Sequence, residues 1–338
     1  MTQKYRSRAR NLLHLGSTQA NENFNQMVSS KAPKARHYGG SSSLMNRVSA
    51  TVLQKNEGHS YLAKDLESIP DPIKLQNFND FVTFDLETTG FGYCDITQIA
   101  ASVGSSKYQS YVYPRCQISV EATKVTGMSH SIATNKLYLH GKEVQGKCIR
   151  TALLDFIDFL KEKDQPILVG HNIASFDVPI LSRLLKEFGL HREFVRIVPA
   201  YIDTLKVARK VFSKEEVNGC YKQCNLVEVY LNIKYDAHVA VEDVNSLQQL
   251  FTVKLKDKCT DEDVYSITCK SCKESYTDVI KNKIVSKVIC EKLSKDGIAL
   301  QHLQLANRRD PNGLRVILRE HGVPFKKCED LARKIQEE

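Results

Sequence analysis

The chain has 338 residues, 42% of them hydrophobic and 26% charged, proportions that exclude a wholly disordered or fibrous protein. No run approaches the roughly 18 uncharged apolar residues of a membrane-spanning helix, and residues 1–20 lack the apolar core of a secretory signal. The net charge of +9 sits at the ends: residues 1–36 carry seven basic groups against one acid, residues 256–338 carry 17 against 14, and the stretch between is balanced. Basic ends suit a polyanionic partner. The ten cysteines form no dense framework, so a reduced intracellular compartment is expected, nuclear or cytoplasmic, with the mitochondrion as an alternative.

Residues 1–48 are rich in Ser, Asn, Gln, Gly and basic groups and show no sustained apolar period, which predicts a disordered basic arm. Few acids among Arg and Ser also suit a transit peptide, and Lys31–Arg36 is a short basic cluster of the nuclear-signal type. Residues 49–76 read as a short helix and a turn ended by Ile69-Pro70-Asp71-Pro72. The division expected is therefore a largely disordered region 1–76, an enzyme-like body 77–255 and a helical region 256–338.

Within the body, Phe81–Phe84, Ile96–Val103 and Gln109–Tyr113 read as strands, the last two joined by a Gly-Ser hairpin turn. Ile149, Leu153, Phe156, Ile157 and Leu160 have helical spacing. Pro166–Gly170 reads as a buried strand, and Asp177–Phe188 as a helix stopped by Gly189. Asp203 and Thr204 suit the cap of a helix running to Phe212. Leu226 to about Leu255 reads as one or two helices around His238. This order predicts an α/β fold, a mixed sheet with helices on its faces. Beyond 255, Val279–Leu293 suits one helix, Leu300–Ala306 and Leu314–Leu318 two shorter ones, and Leu331–Ile335 a last. That basic helical appendage suits packing or a protein partner, or else nucleic acid.

Three polar runs stand at the ends of these elements. The first is Phe84-Asp85-Leu86-Glu87-Thr88-Thr89-Gly90. Residues i and i+2 of a strand share a face, so Asp85 and Glu87 point together. Two carboxylates at ~4 Å repel by roughly 4 kcal/mol at an effective dielectric of ~20, which a proton, an Arg or a metal must offset; for a metal, hard oxygen ligands select Mg²⁺ or Mn²⁺. The second is Val169-Gly170-His171-Asn172-Ile173-Ala174-Ser175-Phe176-Asp177, in which Asp177 opens a helix. The third is His238-Val239-Ala240-Val241-Glu242-Asp243, whose spacing lets His238 and Asp243 face one site. Each alone is a weak signal.

Together the three runs resemble the motifs of the DEDDh 3′–5′ exonucleases, the DnaQ-like family with a ribonuclease H-like fold. Asp85 and Glu87 with Thr88-Thr89-Gly90 match the first motif, Asp177 with His171, Asn172 and Phe176 the second, and His238 with Asp243 the third. Val125–Ser129 and Asp203–Leu205 look like further family landmarks. The resemblance covers about residues 78–255 and is similar to animal repair-type exonucleases, without the proline-rich insert of some of them. It implies a ribonuclease H-like sheet and two-metal hydrolysis of terminal phosphodiesters of single-stranded DNA or RNA, DNA slightly favoured. It implies two Mg²⁺ or Mn²⁺ ions held by Asp85, Glu87, Asp177 and Asp243, with His238 as general base. Leu86, Thr88, Thr89, His171, Asn172 and Phe176 would form the substrate site at a 3′ end. The other reading is a nucleic-acid-binding or scaffold protein on an inactive exonuclease fold. Cys269-Lys270-Ser271-Cys272 lacks the second pair of a zinc site; Cys220, Cys224, Cys259 or Cys290 could supply one, but at no standard spacing, and ordinary reduced cysteines are the simpler reading.

Overall fold

The structure is a computed structural model that describes residues 69–235, 239–310 and 312–337. The expectations for the basic arm and for most of residues 49–76 lie outside it, as does His238. Its frame is a seven-stranded mixed sheet in the order β10-β9-β8-β1-β2-β3-β7. The strands are β1 (Phe81–Thr88), β2 (Ile96–Val103), β3 (Ser106–Tyr113), β7 (Lys147–Cys148), β8 (Ile167–Gly170), β9 (Ala200–Asp203) and β10 (Val264–Ser266). β1, β2 and β3 form an antiparallel meander, while β8 and β9 run parallel to β1. The helix α1 (Val120–Thr126) and a small antiparallel sheet of β4 (Met128–Ser131), β5 (Lys136–Leu139) and β6 (Lys142–Val144) lie between β3 and β7 in the chain. The α/β mixed sheet with flanking helices is as expected, and β2 and β3 meet through the expected tight turn, with Gly104 at φ 56°.

The alternation of β1 sets the two faces. Val82, Phe84 and Leu86 enter a core with α2 (Ile149–Lys161), α3 (Asp177–Glu187) and α4 (His191–Ile197). Phe84 stacks on Phe156 of α2 with ring centroids 5.2 Å apart. Thr83, Asp85 and Glu87 alternate to the opposite face. There the hydroxyl of Thr83 donates to the carbonyls of Ser102 (3.0 Å) and Val244 (3.1 Å), tying in α7 (Ala240–Leu250). Ala100, paired with Asp85 across the β1–β2 ladder, packs on Ala240 and Val244. Small side chains at this crossing let α7 lie close to the acidic face of β1. The strands β8 and β9 are buried on both faces, with α5 (Thr204–Val211) and α6 (Gln223–Leu231) contributing to the second core. Their unbroken apolar runs follow from that burial.

Several elements differ from the sequence reading. β9 and α4 were not expected: β9 is four residues long and ends on Asp203, whose cap signal masks it. β10 lies beyond residue 255 yet pairs antiparallel with β9, Val264 opposite Ile202, and completes the sheet. The single helix expected over Val279–Leu293 is two, α9 (Thr277–Lys281) and α10 (Lys287–Lys295), with Lys283 at φ 57° between them. That left-handed residue interrupts helical propagation. A further helix, α8 (Cys269–Ser275), precedes them, and α11 (Leu300–Arg309), α12 (Gly313–Glu320) and α13 (Glu329–Glu337) match the later expectations. Pro70–Glu338 forms one compact unit.

Tyr276 is fully buried in the C-terminal helices and donates from its hydroxyl to the Ile298 carbonyl at 3.1 Å. Cys269 and Cys272 are both buried, and the Cys272 thiol donates to the Gly297 carbonyl at 3.2 Å. Burial pushes the Cys272 thiol up to about 11 and raises Cys269 as well. Such thiols resist forming the thiolate that a zinc site needs. Among the described residues no helix is long and apolar enough to cross a membrane.

Candidate active site

The acidic residues converge where β1 leaves its parallel partner. Pairing between β1 and β8 spans Phe81–Thr83, so the later backbone of β1 lacks a strand on that side. Asp177, the first residue of α3, fills the gap: its Oδ1 accepts the Leu86 N–H at 3.1 Å. Asp85 and Glu87 project from the other face toward α7, whose first turn carries Asp243. Asp85, Glu87 and Asp243 each place a carboxylate oxygen within 4.8 Å of the others, and among the described residues no other group of three or more His, Cys, Asp or Glu side chains does so. The aliphatic alternation of one strand and the start of one helix thus bring residues 158 positions apart (85 to 243) to one point.

The charges bear on one another. Burial first, then Asp177, Glu87 and Asp243, holds the Asp85 carboxyl well above the ordinary carboxylate range. Burial, Asp243 and Asp177 push Glu87 up to about 8. Asp177 is pushed up to about 7, again mainly by burial, against the opposing hydrogen bond from Leu86. Elevated carboxyl groups facing one another are the electrostatic state that a divalent cation relieves. The all-oxygen donor set fits a hard cation such as Mg²⁺ or Mn²⁺.

Asp243 is held by residues that no sequence motif singles out. Its Oδ1 accepts from the Tyr235 hydroxyl at 2.9 Å and from Gln223 Nε2 at 3.2 Å, and Gln223 also reaches the Asp243 carbonyl at 2.9 Å. Gln223 opens α6 and Tyr235 follows it; neither belongs to a spaced motif, so only the packing of α6 beside α7 reveals them.

A cavity of about 770 Å³ opens over the carboxylates. Asp85, Leu86, Glu87, Thr88, His171, Asn172, Phe176, Asp177 and Asp243 all line it. The expected substrate residues differ in what they do there. The Thr88 hydroxyl donates to the Gly90 carbonyl at 2.9 Å, bracing the turn after β1. Gly90 stands at φ 143°, a backbone conformation that requires glycine. Thr89 is not among the lining residues. Past the register shift at Glu87–Thr88 it turns into the loop, where its hydroxyl accepts from the Asp95 N–H at 3.1 Å and its carbonyl accepts from Ser119 N–H at 2.8 Å. His171 is engaged on both ring nitrogens, Nδ1 with the Thr204 hydroxyl (3.0 Å) and Nε2 with the Tyr221 carbonyl (2.9 Å). Burial lowers its pKa, so it serves as a neutral brace of the wall. Asn172 sits in the left-handed region at φ 61° with its N–H donated to Asp203 Oδ1 at 3.0 Å. Asp203 also caps α5 through the Leu205 N–H at 3.1 Å, so this landmark acts as a support for the second motif.

The rim carries further residues outside the motifs. Phe91 is 91% exposed and meets the Phe176 ring edge-on at 6.0 Å. An aromatic in a Gly-flanked loop is the signal that could have found it. Arg209 and Lys222, both exposed, line the same cavity as the acids.

Residues 79–230 match the family described as the Exuperantia RNAse H-like domain, and residues 272–337 match the family described as PML, C-terminal domain. Similar proteins include the DNA polymerase III PolC-type of Caldanaerobacter subterraneus subsp. tengcongensis, 27% identical over 74% of this chain and 17% of that protein. Maternal protein exuperantia-1 of Drosophila pseudoobscura pseudoobscura is 26% identical over 41% of this chain and 30% of its own length. The DNA polymerase III subunit epsilon of Buchnera aphidicola is 26% identical over 41% of this chain and 59% of its own. The chain therefore spans only part of each of these relatives. Among solved structures, E. coli Exonuclease I in complex with a dA16 oligonucleotide is similar at a TM-score of 0.43 and 14% identity, covering 62% of this chain and 46% of that one.

Proposed function

We propose that the body of this chain belongs with the DnaQ-like 3′–5′ exonucleases and is a divalent-metal-dependent exonuclease that removes nucleoside monophosphates from the 3′ end of single-stranded nucleic acid. The observation that carries the reading is the convergence of Asp85, Glu87, Asp177 and Asp243 at one end of β1 inside one cavity.

Asp85, Glu87 and Asp243 would hold the cations, with Asp177 assisting from the start of α3. Two bound divalent ions supply Lewis acidity to the scissile phosphate and acidify the attacking water. The chain's own residues do the rest. Gln223 and Tyr235 fix the rotamer of Asp243. The Leu86 N–H keeps Asp177 aimed into the cavity. Phe91 and Phe176 offer ring faces and edges to the terminal base, a sequence-tolerant grip. Arg209 and Lys222 offer positive charge to the polyanion in the same cavity, and phosphate contacts of that kind position a strand without reading it. His238, five positions before Asp243, is assigned the general base from its place in the third motif; the ordinary imidazole pKa near 6.5 suits proton uptake at neutral pH. DNA is the slightly preferred substrate, and RNA trimming by the same site is the alternative.

Purified chain incubated with 5′-labelled DNA and RNA of one sequence, in Mg²⁺, Mn²⁺ or EDTA, tests this. A metal-dependent ladder shortening from the 3′ end, absent in Asp85→Asn, is expected, and the preferred strand names the substrate. The second reading is a nucleic-acid-binding or scaffold protein on an inactive exonuclease fold. Strand binding with no cleavage of either substrate in any metal would select it.

A further inference from the structure

We propose that the C-terminal helices carry a second, metal-independent site for single-stranded nucleic acid, built on Arg315, Arg319 and Phe325. A groove of about 570 Å³ runs between α12 and the single turn Phe325–Cys328. Its lining contains Arg315, Val316, Arg319, Val323, Pro324 and Phe325, and no carboxylate. Arg315 and Arg319 are exposed and one helical turn apart on α12. Their Cβ atoms are thus roughly 5–6 Å apart, close to the step between successive phosphates of an extended strand.

The floor is as telling as the charge. The Arg315 guanidinium lies over the Phe325 ring, 4.3 Å from its centroid. This stack presents a flat cationic plane, the kind of surface on which unpaired bases stack. Val316 is 39% exposed and Val323 is buried beside it, which adds an apolar edge. Residues 312–328 contain four basic groups and one acid, Glu320, and so carry the whole charge excess of residues 256–338. Lys326 and Lys327 extend the basic rim, exposed directly after Phe325.

The wall does not depend on the ligand for its shape. His321, buried at the end of α12, pairs through Nδ1 with Asp296 (2.8 Å) and through Nε2 with the Pro70 carbonyl (3.2 Å). Lys292 donates to the Gly322 carbonyl at 2.8 Å from below. Charge favours an anion and the stacked plane favours one with flat rings. The choice of nucleic acid over an acidic peptide rests on the exonuclease reading of the body, since a strand held here would stay tethered between cleavage events.

The test is binding of a 5′-fluorescein oligothymidylate to the full chain in EDTA, followed by anisotropy across a salt series. Without divalent ions the acidic cavity repels the strand, so this assay is separate from turnover, which is scored by the digestion above. Wild type is expected to bind. Arg315→Ala with Arg319→Ala should flatten the slope of log affinity against log salt by about 1.4, or 0.7 for each lost phosphate contact. Comparing the two proteins cancels any contribution from basic residues 1–36. Arg315→Lys with Arg319→Lys should keep most of the slope, and unchanged melting of both variants controls for folding. An unchanged slope in the alanine variant overturns the proposal. So does displacement of the oligonucleotide by polyglutamate at equal charge, which would make the occupant an acidic protein.

Discussion

The Tyr235 hydroxyl donates to Asp243 Oδ1 at 2.9 Å, and this bond joins the segment after α6 to the first turn of α7, where Asp243 meets Asp85 and Glu87. Asp243 stands on the first turn of α7, and Gln223 Nε2 reaches the same carboxylate oxygen at 3.2 Å. Partners that orient a metal-ligating carboxylate typically matter by 10–100-fold in affinity or activity. Tyr235→Phe is therefore expected to lower turnover by about 10-fold at limiting Mg²⁺ and to recover most of it at saturating Mg²⁺. Gln223→Ala should behave alike and more severely, because it also releases the Asp243 carbonyl. A loss that is the same at every metal concentration would assign Tyr235 to the substrate instead.

Stability without metal should fall as pH rises. Glu87 is pushed up to about 8, Asp177 to about 7, and Asp85 upward in the same direction. An acid whose pKa is raised by folding holds its proton more tightly folded than unfolded. Its penalty is absent below the ordinary carboxylate pKa near 4 and grows until the pH passes the folded value. Thermal melts in EDTA should therefore drop between about pH 5 and pH 8. Excess Mg²⁺ should reverse the drop, by about 2.7 kcal/mol at a hundredfold excess over its dissociation constant. Melting indifferent to both pH and Mg²⁺ would contradict a strained acidic cluster.

Asp85→Asn separates stability from activity. It removes the carboxyl that burial and then Asp177, Glu87 and Asp243 hold well above the ordinary range, and with it the cost of ionising that group, so the metal-free protein should melt higher than wild type at about pH 8. The same change removes an oxygen ligand and should abolish cleavage. Calorimetry and the digestion assay on one preparation check the pair of outcomes; a variant that melts lower and cleaves normally would place the chemistry elsewhere.

Phe91 is exposed yet held edge-on to Phe176 at the cavity mouth. Little folding energy is lost with it, but a base that stacks there would lose about 1–3 kcal/mol. Phe91→Ala should raise KM by about 5–150-fold with kcat and the melting temperature nearly unchanged. A fall in kcat at constant KM would show that the ring positions the reacting phosphate and not the base.

Much of this architecture is legible in the chain. The alternation of Val82, Phe84 and Leu86 against Thr83, Asp85 and Glu87 dictates which face of β1 is acidic, because side chains of a strand alternate whatever they pack on. The apolar run Ile167–Gly170 is continuous because its strand is covered on both faces. The opening of α3 on Asp177 follows from the same local rules. Local rules fail where a choice depends on a distant partner. β9 is too short to show a period, and β10 exists because it pairs with β9. The helix expected across Val279–Leu293 breaks at Lys283, whose left-handed backbone the apolar spacing does not foretell. Thr89 looks like its neighbour Thr88, yet the register shift sends it into the loop.

By itself, then, the sequence determined the chemistry: which acids are present, that two of them share a strand face, and that a third opens a helix. Their meeting was decided by tertiary structure, because the small Ala100–Ala240 crossing sets how near α7 comes to β1. The supports of Asp243, the bracing of His171 and the stacking of Arg315 on Phe325 in the C-terminal groove belong to the same level. Each depends on contacts between residues far apart in the chain, which no local periodicity encodes.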